Sequence, residues 1–184
     1  MTLGRALVAD DPLVAADVIV IAPDAQEAGL LEAADLVQRG ISNRVAIVIR
    51  PLTPISEHFM RRGVAYADEG ERYLGLLQAM HIDQTEIVRM RRGGTEAFGE
   101  FLPAWSRRRG YSSVLVVTQT DHSRRVKRVL RRNSPEEGPR FIIRRSRYSA
   151  FTPDHWWQDR STVRTGLVEL QKLAVDVVVH PLSW

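Results

Sequence analysis

Ser113-Val114-Leu115-Val116-Val117-Thr118, running on through Gln119-Thr120-Asp121-His122 into Ser123-Arg124-Arg125, is the stretch on which the fold turns. Its apolar residues are continuous rather than alternating, so the strand they form is buried on both faces. A polar turn follows, and then a helical pattern that the sequence places over Ser123–Arg132. Two more runs share the signature: Asp17-Val18-Ile19-Val20-Ile21-Ala22 and Arg44-Val45-Ala46-Ile47-Val48-Ile49. A sheet made of such strands needs cover on both sides.

The intervening segments supply that cover. Ala25 to Arg39 reads as a helix with Gly40 at its C-terminal cap, and Asp68 to Met80 as another, with Tyr73, Leu74, Leu77 and Met80 on one face. Pro51 and Pro54 read as loop. Glu86–Arg89 is a short strand; the turn Arg91-Arg92-Gly93-Gly94 then opens a helix over Thr95–Arg109, with Thr95 as its N-cap. A strand at Arg140–Ile143, a long loop carrying Trp156-Trp157 and a helix from about Ser161 to Val175 complete the order. Strands alternating with helices predict βαβ units, hence a three-layer α/β/α, Rossmann-like domain with a mainly parallel sheet. Residues 1–184 read as one domain, with its core in about 17–175.

Composition narrows the chemistry. The 184 residues contain no cysteine, which removes disulfides, thiolate nucleophiles and cysteine-based metal sites. No apolar stretch approaches the roughly 20 residues of a membrane-spanning helix, so no membrane insertion is expected. Arg5, Asp10 and Asp11 interrupt what would be a signal-peptide core, which makes the cytoplasm the expected location. The net charge is +4, and Lys127 and Lys172 are the only lysines among 26 basic residues. His58, His81, His122, His155 and His180 show no ligand spacing, so no metal site is expected. No Gly-x-Ser-x-Gly elbow, P-loop or Gly-x-Gly-x-x-Gly is present.

In a doubly wound sheet, ligands bind beyond the carboxyl ends of the strands, where strand order reverses. The segments to weigh are therefore Pro23-Asp24, Arg50-Pro51, Arg91 to Thr95 and Thr118 to Arg125. The last places hydroxyls, an amide, an imidazole and guanidinium groups around a helix start, which suits an anion. The same spacing also permits Thr118 and Asp121 to be simple caps with the arginines in solvent.

Gly94 to Arg125 resembles the YdcF-like family, the domain-of-unknown-function group that includes the SanA and ElyC envelope proteins. The resemblance rests on Thr95 opening a helix, the basic Gly-containing turn Arg107–Gly110, a buried strand ending in Val117-Thr118-Gln119, and His122 with Arg125 three residues on. Trp156-Trp157, Arg164, Glu169 and Lys172 resemble the family's closing stretch, and Glu71 falls where the family has a glutamate. The chain departs from the pattern after its first two strands. Where the family has Gly-rich turns, it has Ala22-Pro23-Asp24 and Arg50-Pro51-Leu52. Proline has no N–H to offer a phosphate.

The resulting expectation is a pocket lined by Thr95, Thr118, Gln119, His122 and Arg125 that takes a small anionic ligand, a phosphate ester or nucleotide-like compound. His122 is a proton-transfer group or phosphate contact, or else structural. Glu71 is a base or hydroxyl acceptor, or else a partner of the helix dipole. Trp156 and Trp157 form an aromatic lid, with Trp157 contacting ligand, or else plug the sheet edge. Function is then an enzyme acting on that ligand, a non-catalytic binding module, or, as the weakest reading, a nucleic-acid binder using the Arg-rich helix 123–132. No cofactor is assigned.

Overall fold

The three apolar runs become β1 (Val18–Ile21), β2 (Val45–Ile49) and β4 (Ser113–Thr118), joined by β3 (Thr85–Arg89) and β5 (Arg140–Arg145). The structure is a computed structural model that describes residues 3–64 and 68–181. The sheet order is β3-β2-β1-β4-β5, and every pairing is parallel. β1 is central, with Ile19 opposite Val45 on one side and Leu115 on the other. From β1 the chain winds outward to β3, then returns across the sheet to β4. Strand order therefore reverses at the β1/β4 seam, where a crevice opens at the carboxyl ends.

Side-chain alternation divides the core in two. Ile19, Ile21, Val45, Ile47 and Leu115 face α2 (Gln26–Gln38) and α4 (Glu69–Ala79), packing on Leu30, Leu36, Tyr73 and Leu77. Val18, Val20, Val48, Val114 and Val116 face α5 (Thr95–Arg108) and α6 (Ser123–Asn133), packing on Phe98, Leu102, Trp105 and Leu130. Each fully buried aliphatic side chain contributes about 1.5–3 kcal/mol of transfer free energy. The result is an α/β/α, Rossmann-like fold.

α5 and α6 approach closely because Gly99 has no side chain. A Cβ there would lie 2.1 Å from Val129 Cγ1 and 3.2 Å from the Val129 carbonyl oxygen. That contact brings the start of α5 beside the start of α6.

Two elements differ from the expectation. Pro54 is not loop: it is the first residue of α3 (Pro54–Arg61), and the Thr53 side chain accepts the Ser56 amide as its cap. Proline suits that position because its missing N–H has no helical partner there anyway. α7 (Arg160–Val179) starts where Asp159 caps it by accepting the Ser161 and Thr162 amides, and it runs past the expected end at Val175, where Asp176 pairs with Arg128 and Arg132. A short helix, α1 (Leu3–Ala6), precedes β1, and Leu7 beyond it joins Phe151, Trp156 and Leu173 in a satellite cluster beneath α7.

The Arg-rich helix α6 is a seam rather than a free basic face. Arg128 is 2% exposed and pairs with Asp176 on α7; Arg132 reaches both Asp176 and Glu96. Lys127 pairs with Asp11, and Arg125 with Glu169. Four of its basic side chains thus hold neighbouring elements by charge.

Candidate functional site

A cleft of about 280 Å³ lies at the carboxyl ends of the strands, beside the β1/β4 seam. Asp24 and Arg50 reach it from the turns after β1 and β2, Thr95 from the start of α5, and His122 and Arg125 from the start of α6. Lys172 closes it from α7, over an apolar wall of Met90, Phe98 and Val126.

Thr95 is not the cap of α5. Gly94 holds that position at φ +98°, a left-handed backbone value that glycine adopts without strain, and no side chain caps the helix. Thr95 is the first helical residue, and its hydroxyl is turned into the cleft. Oγ1 lies 3.2 Å from His122 Nε2 and accepts a hydrogen bond from Arg125 Nη1. The opening amides of α5 consequently face the cleft end with no side chain to satisfy them.

The other face of the imidazole is fixed by Glu169. His122 Nδ1 is 3.0 Å from Glu169 Oε2. An ionised carboxylate only accepts, so Nδ1 carries a proton, and in the neutral ring the Nε2 lone pair is left to accept from the Thr95 hydroxyl. Arg125 donates to the same oxygen from Nε at 3.0 Å and from Nη2 at 2.9 Å. Its Nη2 is also 3.0 and 3.3 Å from the two ring nitrogens. An atom so nearly equidistant from both cannot lie in the ring plane, where Cε1 projects, so the guanidinium sits over the ring face. Lys172 Nζ donates to Glu169 Oε1 at 2.8 Å.

Charge at Glu169 is therefore secured from both ends. Burial pushes its carboxyl up, but the hydrogen bond and the positive charge of a protonated His122, the hydrogen bond from Lys172 and the charge of Arg125 outweigh this and lower it to about 2. Asp121, also buried, goes the other way. Burial raises its carboxyl, and the charges of Glu169 and Asp24 add to the rise against the opposing effect of its own amide and His122.

Thr118 and Gln119 lie one layer behind the cleft. Thr118 is fully buried, and its hydroxyl donates to Asp24 Oδ2 at 2.6 Å. The Gln119 amide donates to the same oxygen at 2.9 Å, and its side chain donates to the Ala25 carbonyl. Both are spoken for by the turn after β1, because Asp24 brings an anion of its own to the seam. Of the five expected lining residues, the fold brings Thr95, His122 and Arg125 together at the cleft.

Glu71 and Trp157 fall elsewhere. Glu71 is exposed on α4, 4.0 Å from Arg89, and is not part of the cleft wall. Trp157 is 52% exposed and its ring neighbours His155, whereas Trp156 is buried against Phe151 and Gly166. Trp156 thus packs into the satellite cluster beneath α7, neither over the cleft nor at the sheet edge. Arg91 and Arg92 line a separate groove with Glu100, to which Arg92 is paired.

Asp24, Arg50 and Glu169 are functional-site residues whose individual parts the sequence did not disclose. Asp24 and Arg50 lie in the post-strand segments that the sequence marked out, though neither was named among the expected lining residues. Glu169 carries no such mark, since only α7 docking brings it to His122. Among the described residues, no three histidine or acidic side chains gather as a metal site. No helix among them is long and apolar enough to cross a membrane.

No family model and no curated protein matches the sequence. Among solved structures, the chain is similar to the crystal structure of a universal stress protein family member from Burkholderia pseudomallei. The identity is 17% over 69% of this chain and 94% of that one, with a TM-score of 0.40.

Proposed function

We propose that the cleft binds a small anion, a phosphate ester or nucleotide-like compound, in keeping with a divergent place in the YdcF-like family. Thr95, His122, Arg125, Glu169 and Lys172 all belong to the stretches that carry that resemblance, and they converge on one site.

The observation that carries the reading is the charge of the wall. Among the described residues, Arg50, Arg125 and Lys172 face the cleft with Asp24 as the one carboxylate lining it. Glu169 engages Arg125 and Lys172 from behind, and Asp24 is engaged by Thr118 and Gln119. Among the described residues no ion pair is formed by Arg50, which is exposed at the rim. Its guanidinium and the opening amides of α5 are donors suited to a phosphate group.

The test is calorimetric titration with inorganic phosphate, AMP and p-nitrophenyl phosphate, with adenosine as the uncharged control. Arg50→Ala trims an exposed side chain that forms no ion pair among the described residues, so its fold is expected to be unchanged. Loss of a charge-assisted hydrogen bond of about 1.5–3 kcal/mol weakens anion binding about ten- to a hundredfold. Equal affinity of wild type and variant, or equal binding of adenosine, overturns the reading.

A further inference from the structure

The Thr95 hydroxyl, the His122 imidazole and the Glu169 carboxylate form a continuous line of hydrogen bonds. Thr95 Oγ1 to His122 Nε2 is 3.2 Å, and His122 Nδ1 to Glu169 Oε2 is 3.0 Å. A hydroxyl against one ring nitrogen, with a carboxylate fixing the other, is the geometry of an activated oxygen nucleophile. We propose that Thr95 is the nucleophile of a phosphate-ester hydrolase, with His122 as its general base and Glu169 as the positioning residue. The proposal rests on the anion-binding reading of the same cleft.

Three observations separate this arrangement from an incidental polar cluster. Thr95 is relieved of capping duty by Gly94, so its hydroxyl serves no helical amide. Arg125 donates to the same Oγ1 from Nη1 while anchored to Glu169 through Nε and Nη2, which stabilises negative charge on that oxygen. The Nδ1 position faces the Glu169 carboxylate at 3.0 Å, so in the neutral ring Nε2, beside the Thr95 hydroxyl, is the nitrogen with a lone pair to take a proton.

The step balances without any group beyond substrate and water. The Thr95 O–H proton passes to His122 Nε2, and the oxygen electron pair forms the Oγ1–P bond. The bond from phosphorus to the ester oxygen breaks with its electron pair, and that oxygen takes the proton from Nε2 to leave as an alcohol. Water then attacks phosphorus, gives a proton to Nε2, and the Thr95 oxygen departs and regains it, releasing phosphate. Arg50 and the first amides of α5 hold the non-bridging oxygens throughout.

The experiment incubates the protein with p-nitrophenyl phosphate, follows p-nitrophenol release, and quenches in acid for mass spectrometry of the peptide holding Thr95. The expected result is a phosphoryl adduct on Thr95 in wild type. It is absent from Thr95→Val and from His122→Gln, both of which still bind the ester and lose at least about a hundredfold in turnover. Thr95→Ser retains the adduct. Glu169→Gln removes the negative charge that balances the imidazolium formed during the step, and lowers kcat with KM little changed; Glu169→Asp restores part of the rate.

Wild type that binds phosphate compounds without turnover overturns the proposal and leaves the anion-binding reading standing. So does turnover that survives Thr95→Val, or turnover with no adduct, either of which transfers the attack to water. Wild type that binds no phosphate compound overturns both.

Discussion

The Thr118 hydroxyl donates to the Asp24 carboxylate across the β1/β4 seam, at 2.6 Å, and Thr118 itself is fully buried. The same carboxylate oxygen takes the Gln119 amide. The seam therefore already contains an anion, supplied by the chain where glycine-rich turns would leave room for one.

Asp24→Ala separates the two consequences of that arrangement. It strands a buried hydroxyl and a backbone amide, a loss of about 1–3 kcal/mol that urea unfolding would show as a lower midpoint. It also removes the carboxylate from the cleft wall, so phosphate binds more tightly by calorimetry. A variant that is both less stable and a weaker binder would mean that Asp24 organises the anion site.

Glu169 makes stability depend on acid. Its carboxyl lies at about 2 in the folded chain against an ordinary 4.5, so the folded state holds the charged form more strongly than the unfolded one does. The stabilisation is complete above 4.5 and declines as pH falls from there toward 2, by about 3 kcal/mol in all. Urea midpoints measured between pH 7 and pH 3 should fall more steeply for wild type than for Glu169→Gln. Parallel slopes would contradict the arrangement.

Asp121 has the opposite sign. Burial raises its carboxyl, so its charge is disfavoured in the folded chain and costs stability once pH exceeds the unfolded value. Asp121→Asn keeps an acceptor and the shape but removes the charge. The variant is expected to unfold at a higher urea midpoint than wild type at pH 7, with the gain shrinking in acid; a lower midpoint at pH 7 refutes this.

Gly99→Ala tests the packing beneath the site. The added methyl lies 2.1 Å from Val129 Cγ1, so α5 and α6 must separate, which costs about 1–3 kcal/mol. Separation lengthens the Thr95–His122 contact. Thermal denaturation checks the first effect and phosphate titration the second.

The layer architecture was legible because the signals for it are local. Val18–Ile21, Val45–Ile49 and Ser113–Thr118 are apolar on both faces, and each is followed by a helical pattern. Thr95, His122 and Arg125 were legible because a strand-to-helix turn announces itself by composition. Glu169 was marked only by the resemblance of the closing stretch, and its contact with His122 was not legible, since that partner lies 47 residues away. Glu71 and Trp157 mark the reverse error. Each sits at a plausible place along the chain, yet the fold turns one toward Arg89 and the other toward His155. Thr95 shows a subtler limit, because a threonine at a helix start reads as a cap until the neighbouring glycine is seen to take that place.

The line from Thr95 through His122 to Glu169 draws on α5, on the turn into α6 and on α7, so no single segment contains it. α7 lies outside the sheet sandwich, tied to α6 by Asp176 and to the satellite cluster by Leu173. Local opening of that helix therefore withdraws Glu169 and Lys172 while the five strands stay paired, and hydrogen exchange would detect it as a sub-global event. The proton-accepting state of His122 is in this way conditional on a docking equilibrium remote from the sheet. A molecule that wedged beneath α7 near Trp156 would part Glu169 from His122 without entering the cleft.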